Sequence, residues 1–466
     1  MRHFLFAFLL AAAPAALAPL SAQPVAPDLP VVDPTVVELR DAALDDELAW
    51  DIVEGLTTEV GPRLAGTPAE ARARVWAVAR LKALGFANVR VEEFDLPVWT
   101  RGLEAAEIVA PFPQRLVVTA LGNSASTGPQ GVTGQVVGFN SLAELEAAPA
   151  AAVRGKIVFV SHAMPRTQDG SGYGYFGGPR RLGPTVASRK GALAIVVRSI
   201  GTDHHRNPHA GVQRFDDGVA AIPAGALSLP DAEQLQRMLK RGQPVTMRLT
   251  LVSQTRPGRS ANVIADVPGR DPRAPVVLVG GHLDSWDLGT GAIDDGAGLA
   301  ITAAAAKRIM DRGRPLRTIR LVWFGAEEVG LFGGLDYQAR HGHEPHYAMA
   351  ESDFGADRVW RVTSKLGKAR EPEALALQAA LAPLGIVPGS TDLADGSDIG
   401  PMIAAGLPGV ELSQDGTYYF DLHHTPDDTL DKIELPALRQ NVAAWTAMLA
   451  VLSGGIEPHP QRRQRR

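Results

Sequence analysis

The stretch PVVLVGGHLDSWDLGTGAIDDGAG, residues 275–298, decides the fold. It opens with four consecutive β-branched or aliphatic residues, an apolar run typical of a strand buried on both faces. Two glycines end the run, and one imidazole and four carboxylates follow within fourteen positions: His282, Asp284, Asp287, Asp294 and Asp295. The carboxylates would repel one another unless a cation lay among them, and Zn²⁺ accepts these ligand types. The stretch therefore predicts a metal site at the carboxyl end of a buried strand.

Asp and Gly are also the usual turn formers, so the same residues could be ordinary loop residues. Two later strand-like runs favour the metal site. Residues 318–324 lead to Glu327 and Glu328, and residues 347–351 lead to Asp353. In open α/β sheets the carboxyl ends of the strands line one crevice, so these acids are expected to meet His282 there.

Composition places the chain among ordinary globular proteins. Its 466 residues predict two domains with ample core, and 45% hydrophobic and 21% charged residues are typical of a soluble protein. A net charge of −5 argues against a nucleic-acid partner. No stretch after the N-terminus reaches the ~20 apolar residues of a membrane span. The basic QRRQRR end is interpreted as a solvated tail.

The N-terminus carries an export pattern. Residues 1–22 join a basic start to an apolar, Ala-rich run and end in small residues, which predicts a secretory signal peptide and a secreted or periplasmic protein. Residues 23–34 are expected to be an extended lead-in. The chain has no cysteine, so His, Asp and Glu must hold any metal. This ligand set favours an open catalytic site over a structural zinc knuckle.

Periodic segments define the remaining organisation. Helical spacing occurs over residues 45–56, 67–84, 298–312, 371–384 and 435–452, and strand alternation over 88–96. Alternating strands and helices predict an α/β fold with a mixed, mostly parallel sheet flanked by helices. Residues 122–254 differ, because short strands at 134–137, 156–160, 194–197 and 245–251 are separated by Gly-, Pro- and Ser-rich turns. This segment is predicted to be a β-rich insert with one helix near residues 185–190.

Five motifs carry a family resemblance: HLDSWD, AIDDGAG, FGAEEVGLFG, AESD and HHTPDDTL, in this order over residues 282–430. They resemble the di-zinc exopeptidases that include bacterial leucyl aminopeptidases and glutamate carboxypeptidase, most of all the plasma glutamate carboxypeptidase branch. The likeness covers about residues 40–452. VRGKIVFV, SRKGALAIVV and IPAGALS resemble the protease-associated domain. The implied division is a peptidase domain in two parts, 35–121 and 255–455, around a protease-associated insert at 122–254, with a tail at 456–466.

The resemblance implies two zinc ions and five ligands. One ion would be held by His282 and Asp353, the other by Glu328 and His424, and Asp294 would bridge them. His424 is preferred to the neighbouring His423 because it alone fits the family pattern His-Thr-x-x-Asp.

Two acids are expected to act beside the metal. The resemblance makes Glu327 the general base for a zinc-bridging hydroxide. If Glu327 and Glu328 lie on one extended segment, their side chains point oppositely, so one can face the metal and the other the water. Asp284 lies two residues after His282, so it is expected to accept the second imidazole N–H.

Other polar residues receive less specific interpretations. Asp287 and Asp398 are interpreted as turn and helix-cap residues, and His204, His205 and His209 as surface residues. The leucyl aminopeptidases carry a tyrosine shortly before a Ser-Asp pair, but here Leu393-Ala394-Asp395-Gly396 precedes Ser397-Asp398. The group that stabilises the oxyanion is therefore unassigned, with Tyr418 and Tyr419 as candidates and core aromatics as the alternative.

The predicted function is hydrolysis of dipeptides, or of the N-terminal residue of short peptides, by a zinc aminopeptidase or dipeptidase. Two alternatives share the scaffold: a non-catalytic receptor-like binding protein and a glutaminyl cyclase. Retention of every ligand and of the base argues against the receptor. The insert and the HLDSWD motif argue against the cyclase. The sequence does not decide between a monomer and a homodimer.

Overall fold

The computed structural model describes residues 29–390, 393 and 397–459. The predicted signal peptide and half of the lead-in lie outside these residues, as does most of the basic tail. In the part that is described, no helix is long and apolar enough to cross a membrane.

The elements fall into three consecutive groups. The first comprises α1 (Pro34–Ala42), α2 (Leu48–Glu59), α3 (Pro68–Ala83) and β1 (Ala87–Ala110). The second comprises β2 (Gln114–Leu116), β3 (Val118–Ala120), β4 (Val132–Phe139), α4 (Leu142–Ala147), α5 (Ala150–Val153), β5 (Ile157–Val160), α6 (Tyr173–Phe176), α7 (Gly178–Arg181), α8 (Gly183–Arg189), β6 (Ala194–Arg198), β7 (Ala224–Leu227), α9 (Leu229–Leu239) and β8 (Thr246–Val267). The third comprises β9 (Val276–His282), α10 (Ala297–Arg312), β10 (Gly313–Arg314), β11 (Ile319–Phe324), α11 (Phe332–His341), β12 (His346–Glu351), β13 (Val359–Lys365), α12 (Glu371–Leu381), β14 (Val387–Pro388), α13 (Gly400–Ala404), β15 (Gly409–Gln414), α14 (Tyr419–Leu422), α15 (Leu435–Leu452) and β16 (Glu457–Pro458).

The strand predicted from residues 276–279 lies in the middle of the main sheet. That sheet runs β14-β13-β15-β12-β9-β11-β8. Strand β9 is parallel to β11 and β12, and β12 is parallel to β15, whereas β8 and β13 run antiparallel to their neighbours β11 and β15. The predicted α/β fold with a mixed, mostly parallel sheet is confirmed.

Helices cover both faces of this sheet. Val277 and Val279 pack into the cluster that includes α2, α10 and α15, whereas Leu278 packs into a smaller cluster with α11 and α13. Alternate residues of a strand point to opposite faces, so an unbroken apolar run is what a strand between two helical layers requires. The packing leaves the carboxyl end of β9 as the place where polar side chains can collect.

The helix predicted at residues 67–84 shows how local signals set an element. Thr67 precedes α3 and its hydroxyl accepts the N–H of Glu70, while Pro68 occupies the first turn. The threonine cap satisfies a free N–H of the first turn, and proline has no N–H to leave unpaired there.

The strands of the inserted segment continue the main sheet beyond β8, in the order β4-β5-β6-β7-β3. Strands β4 to β7 are parallel neighbours and β3 is antiparallel to β7. The segment is richer in helix than predicted, because α9 was not expected. Ser228 caps α9 by accepting the N–H of Asp231, with Pro230 in the first turn, so the signal was present in the sequence.

Two long strands connect the two parts of this sheet. Strands β1 and β8 pair antiparallel from Ala87 opposite Asp266 to Ala110 opposite Thr246. Their outer halves join the insert, since β8 also pairs with β4. The proposed domain boundary after residue 254 therefore falls inside one continuous strand.

Candidate active site

His282, the last residue of β9, is held in place from three sides. Its backbone N–H donates to Asp295 Oδ2 at 3.0 Å, and its Nδ1 lies 2.9 Å from the carbonyl oxygen of Asp284. Its Nε2 lies 3.0 Å from Asp294 Oδ1 and 3.3 Å from Asp353 Oδ1. The ring is buried, so Nε2 is directed at two carboxylates in an enclosed site.

The expected role of Asp284 needs correction. The oxygen nearest to Nδ1 of His282 is the main-chain carbonyl of Asp284, whereas the Asp284 carboxylate lies 3.8 Å away. That carboxylate instead accepts the backbone N–H of Glu327 at 3.1 Å. The chain bends immediately after β9, so the residue turns its carbonyl rather than its side chain to the imidazole. Asp284 thus orients both His282 and the turn that carries Glu327.

Asp294 is the centre of the cluster. Its Oδ1 faces His282 and its Oδ2 lies 3.2 Å from His424 Nε2, which in turn lies 2.9 Å from Glu328 Oε2. Two groups of potential ligands share it: His282, Asp294 and Asp353 form one, and Asp294, His423 and His424 form the other.

Neighbouring acids fix the backbone on both sides of Asp294. Asp428 accepts the N–H groups of Ile293 and Asp294 at 2.6 and 3.3 Å. The peptide bond between Asp294 and Asp295 is cis. Asp295 accepts the backbone N–H of Gly298 at the start of α10, so its carboxylate supports the site from behind.

Gly298 illustrates how closely the segments approach. A Cβ atom there would lie 1.8 Å from the carbonyl oxygen of Ser352, far inside contact distance. Only glycine allows α10 to begin against the end of β12.

Arg63 is a supporting residue that the sequence did not reveal. Its buried guanidinium donates to the carbonyl oxygens of Leu283, Thr290 and Gly291 at 2.6 to 2.9 Å. These bonds tie both ends of the loop between His282 and Asp294. No local pattern links an arginine before α3 to a loop more than two hundred residues later.

Glu327 and Glu328 both line the cavity beside the cluster. They do not lie on an extended segment, because Ala326 has a left-handed φ of 60° and residues 328–330 form a turn. The strand-alternation argument for their opposite roles therefore does not apply. The two residues differ in their contacts. The Glu328 carboxylate lies next to the His424 imidazole, whereas the backbone N–H of Glu327 donates to the Asp284 carboxylate.

The two adjacent histidines occupy different positions. His424 contacts Asp294 and Glu328, while His423 Nε2 lies 3.6 Å from Asp294 alone. Their rings stack at 3.4 Å, and His424 has a left-handed φ of 63°. Burial and the adjacent His424 lower the pKa of His423 well below its usual value, so its ring is neutral.

Crowding of acids dominates the electrostatics. Burial, followed by the charge of Asp294, raises the pKa of Glu328 to about 7. Burial and the nearby acid Asp353 also raise the pKa of Glu327 well above its usual value. Burial lowers the pKa of His282, but the carboxylates of Asp353 and Asp294 outweigh this effect and raise it well above the usual value. A cation at the centre would replace the protons that these groups otherwise retain.

The donor set fits metal ions. Among the described residues, six buried carboxylate oxygens accept no hydrogen bond, and three of them, one each from Asp284, Asp294 and Glu328, lie in or beside the cluster. Buried charged oxygens are costly to leave unpaired. Imidazole nitrogen and carboxylate oxygen are the ligand types that zinc accepts when cysteine is absent.

Asp287 and Asp398 each have a partner outside the cluster. Asp287 forms an ion pair with Arg101 at 2.7 Å, and Asp398 accepts the N–H of Gly334 in the first turn of α11. Both positions agree with their interpretation as turn and cap residues.

Only one of the two candidate tyrosines reaches the cavity. Tyr419 is buried in its wall, with its ring centroid 5.0 Å from that of His423. Tyr418 is 60% exposed and lies under the guanidinium of Arg166. Tyr418 is therefore excluded as a group acting in the cavity.

The interpretation of His209 as a surface residue is wrong. His209 is buried, with Nε2 2.6 Å from Asp203 Oδ2 and Nδ1 2.8 Å from the carbonyl oxygen of His423. His205, in contrast, is exposed and pairs with Asp427. A local pattern could not separate the two, because the contact that buries His209 comes from the far end of the chain.

The cluster opens into a cavity of about 1000 Å³ between the main sheet and the insert. Apolar residues such as Ile403, Leu412 and Phe420 form one wall, and the insert contributes Arg180 and Gln213. A cluster of potential metal ligands at the base of a cleft is suited to chemistry on a small substrate.

The chain is similar to members of a known protein family. The model of peptidase family M28 matches residues 262–449. Human carboxypeptidase Q is 34% identical over 87% of this chain and 85% of its own length, and aminopeptidase YwaD of Bacillus subtilis is 25% identical over 74% and 70%.

Two solved structures show the same fold. An M28 peptidase precursor from Shewanella amazonensis superposes with a TM-score of 0.88 at 46% identity, covering 91% of this chain and 98% of the other. The zinc aminopeptidase BSAP of Bacillus subtilis, at 21% identity, has a TM-score of 0.64 and coverages of 86% and 94%. The predicted family and enzyme class are confirmed: the chain belongs to peptidase family M28 and is a zinc metallopeptidase.

Proposed function

We propose that the protein is a di-zinc exopeptidase that hydrolyses dipeptides or removes the N-terminal residue of short peptides. The observation that carries the proposal is the position of Asp294, whose two oxygens face two different imidazoles, His282 and His424. A carboxylate shared between two ligand groups is suited to bridging two ions. Relatives named carboxypeptidase Q and aminopeptidase support an exopeptidase.

The proposed ligand assignment follows the contacts. His282 and Asp353 would hold one zinc, Glu328 and His424 would hold the second, and Asp294 would be shared between them. Bound zinc would polarise the scissile carbonyl and lower the pKa of a water molecule.

Glu327 is proposed as the general base. It lines the cavity, and the bond from its N–H to Asp284 fixes the turn that carries it. A carboxylate in this position can accept a proton from water and deliver it to the leaving amine. The His282 imidazole keeps its orientation because Nδ1 is bound to the Asp284 carbonyl.

The test combines metal analysis with a substrate panel. Purified protein should contain close to two zinc ions per chain and lose activity to a chelator, with recovery on adding zinc. Dipeptides with a free amine should be cleaved, and their N-blocked forms should not. One zinc ion at saturation would contradict the bridging role of Asp294, and cleavage of the N-blocked substrates would contradict an aminopeptidase or dipeptidase that requires the free amine.

We further propose a secreted or periplasmic location, on the basis of residues 1–22. N-terminal sequencing of the protein recovered from the periplasm or medium should find the chain beginning near residue 23. Recovery of the full chain in the cytoplasm would contradict this.

A further inference from the structure

A compact group of charged side chains lies outside the proposed active site, near the amino ends of β11 and β12. His341, the last residue of α11, is at its centre. Its Nε2 lies 2.8 Å from Glu92 Oε2 on β1, and its Nδ1 lies 2.6 Å from Glu344 Oε1 in the loop before β12. The imidazole and the Glu92 carboxylate are each only 14% exposed. His341 therefore connects the end of α11 to both β1 and the start of β12.

The geometry requires a positively charged ring if both contacts of His341 are to be hydrogen bonds. A neutral imidazole offers one N–H and one lone pair, whereas an imidazolium donates from both nitrogens. The ring has a carboxylate oxygen at each nitrogen, and an ionised carboxylate only accepts. A neutral ring would therefore leave one lone pair facing a carboxylate. The C-terminal end of α11 also favours a cation, because the helix dipole is negative there.

His346 shows the opposite case in the same group. Its Nδ1 lies 2.9 Å from the carbonyl oxygen of Glu344, and its Nε2 lies 3.1 Å from the Tyr337 hydroxyl. Burial raises the pKa of that hydroxyl to about 12, so it keeps its proton and can donate. Burial is also the main cause that lowers the pKa of His346, so this ring is neutral and satisfies both partners. His341 is thus the histidine of the group whose two contacts depend on its charge.

Each carboxylate beside His341 also binds an arginine through its second oxygen. Glu92 Oε1 lies 2.9 Å from Arg90, and Glu344 Oε2 lies 2.7 Å from Arg320. Burial would raise the pKa of Glu344, but hydrogen bonds from His341 and Arg320 outweigh it and lower the pKa to about 2. Burial is likewise outweighed at Glu92, where hydrogen bonds from His341 and Arg90 lower the pKa. The two acids therefore stay charged at mildly acidic and neutral pH.

The other charged groups around the ring have partners of their own. Asp266 of β8 pairs with Arg320 at 3.3 Å, and Asp336 of α11 pairs with Arg340 at 2.8 Å. His343, in the loop after α11, is exposed. Among the described residues, the two glutamates are the only acids in ion-pair contact with the ring.

We propose that Glu92, His341 and Glu344 form a pH-sensitive clasp. At mildly acidic pH the imidazolium holds β1 and the start of β12 to the end of α11. Loss of its proton at higher pH breaks one of the two contacts and loosens this junction. The inference is independent of the proposed exopeptidase function, because none of the three residues belongs to the proposed ligand set or acts as the base.

The ring and the acids of the clasp respond to pH in opposite directions. A ring that is bound as a cation in the folded state stabilises that state at low pH, and the contribution is lost as rising pH removes the proton. Imidazole is the side chain that ordinarily changes charge between about pH 5 and 8. The acids have lowered pKa values, so their contribution is present above the ordinary glutamate pKa of about 4.3 and is lost as the pH falls toward about 2. The clasp is therefore strongest at roughly pH 5 to 6 and weaker on either side.

Hydrogen exchange followed by mass spectrometry tests the clasp in the zinc-loaded protein. Peptides covering residues 88–96 and 335–346 report on it, and their protection factors are compared at about pH 5.5 and about pH 8.5, after correction for the intrinsic exchange rate. In the wild-type protein both peptides should be about 10-fold better protected at the lower pH, the effect expected of one charge-assisted hydrogen bond. His341→Gln should remove most of this difference by lowering protection at the lower pH, since glutamine carries no charge. Glu92→Gln should do the same for the peptide 88–96.

Two controls separate the clasp from other effects of pH. His343→Gln, on the exposed neighbour, should leave the difference unchanged, and a peptide from α15 should be protected equally at both pH values. Equal protection of the two reporting peptides in the wild-type protein would overturn the proposal, as would an unchanged difference in His341→Gln. Loss of the difference in His343→Gln would assign the sensitivity to that histidine instead. A matching change in α15 would show that pH acts on the stability of the whole fold and not on a local clasp.

Discussion

Glu327 and Glu328 are adjacent in sequence but are expected to respond differently to the same substitution. If Glu327 moves the proton, Glu327→Gln should lower kcat by roughly 10²- to 10⁴-fold while both zinc ions stay bound. Glu328→Gln should instead weaken one zinc, because a neutral amide replaces an anionic ligand next to His424. Zinc content and kcat of the two variants, measured side by side, check this. Loss of zinc in Glu327→Gln with retention in Glu328→Gln would reverse the roles.

The neighbouring histidines offer a similar matched pair. His424 touches both Asp294 and Glu328, whereas His423 pairs, among the acids that the structure describes, with Asp294 alone, at 3.6 Å. His424→Ala should therefore reduce the zinc content from about two ions to one, and His423→Ala should leave it near two. Metal analysis of both variants after gel filtration measures their zinc content and checks this prediction. A lost ion in His423→Ala alone would move the ligand assignment to that residue.

The sequence patterns predicted which residues come together at the site. They did not predict how these residues contact one another. His282, Asp294, Asp353 and His424 meet because three strands and one loop end at the same edge of the sheet. The carbonyl of Asp284 and the turn after Ala326 could not be foreseen, since they depend on φ and ψ values at single positions. The partners of Arg63 were hidden because they lie far away in sequence.

At the scale of elements, strands and helices with strong local signals were predicted closely. Helix α15 was expected at residues 435–452 and spans Leu435–Leu452, and β11 was expected at 318–324 and spans Ile319–Phe324. Strands β1 and β8 were only partly predicted, because Pro97 and Pro257 interrupt their patterns. The two prolines lie opposite each other in the pair, where long-range pairing overrides the local signal.

One segment of the insert acts directly on the histidine loop. His209 Nδ1 donates to the His423 carbonyl oxygen, Asp203 binds the other ring nitrogen, and Ala210 N–H donates to the His424 carbonyl at 2.9 Å. These bonds hold the loop while His424 keeps its left-handed φ. The insert therefore positions a proposed zinc ligand in addition to forming a wall.

Removing the His209 imidazole is therefore expected to weaken zinc binding at one of the two proposed metal sites and not at the other. His209→Ala should weaken the zinc held by His424 by roughly 10- to 100-fold, as removal of groups that orient ligands does, while the zinc at His282 is retained. His209→Asn should restore part of the affinity, since its amide can donate to the same carbonyl. His205→Ala, on the exposed neighbour, is the control. Equal weakening of both zinc ions, or none, would contradict this positioning role.

At the scale of the whole molecule, the insert and the peptidase part are joined across the cavity. Arg166 pairs with Asp421 at 2.8 Å, and Gln168 donates to Asp415 at 2.8 Å. Arg214 also donates to the carbonyl oxygen of Gly330, close to Glu327. Contacts on several sides of the opening favour a cleft that admits short chains and excludes long ones.

Peptide length is therefore expected to control the rate even when the C-terminus is blocked. In a series of amidated peptides that begin with Leu-Ala, from two to about twenty residues, kcat/KM should fall steeply beyond a few residues, because the extra chain meets the insert. Amidation removes any contribution of the terminal carboxylate. The change in kcat/KM along the series therefore measures only the effect of the insert on peptides of increasing length. The double variant Arg166→Ala and Gln168→Ala, which releases the insert from Asp421 and Asp415, should narrow the difference between long and short peptides. Efficient removal of the N-terminal residue from the longest peptide by the wild-type protein would show that the insert does not restrict access.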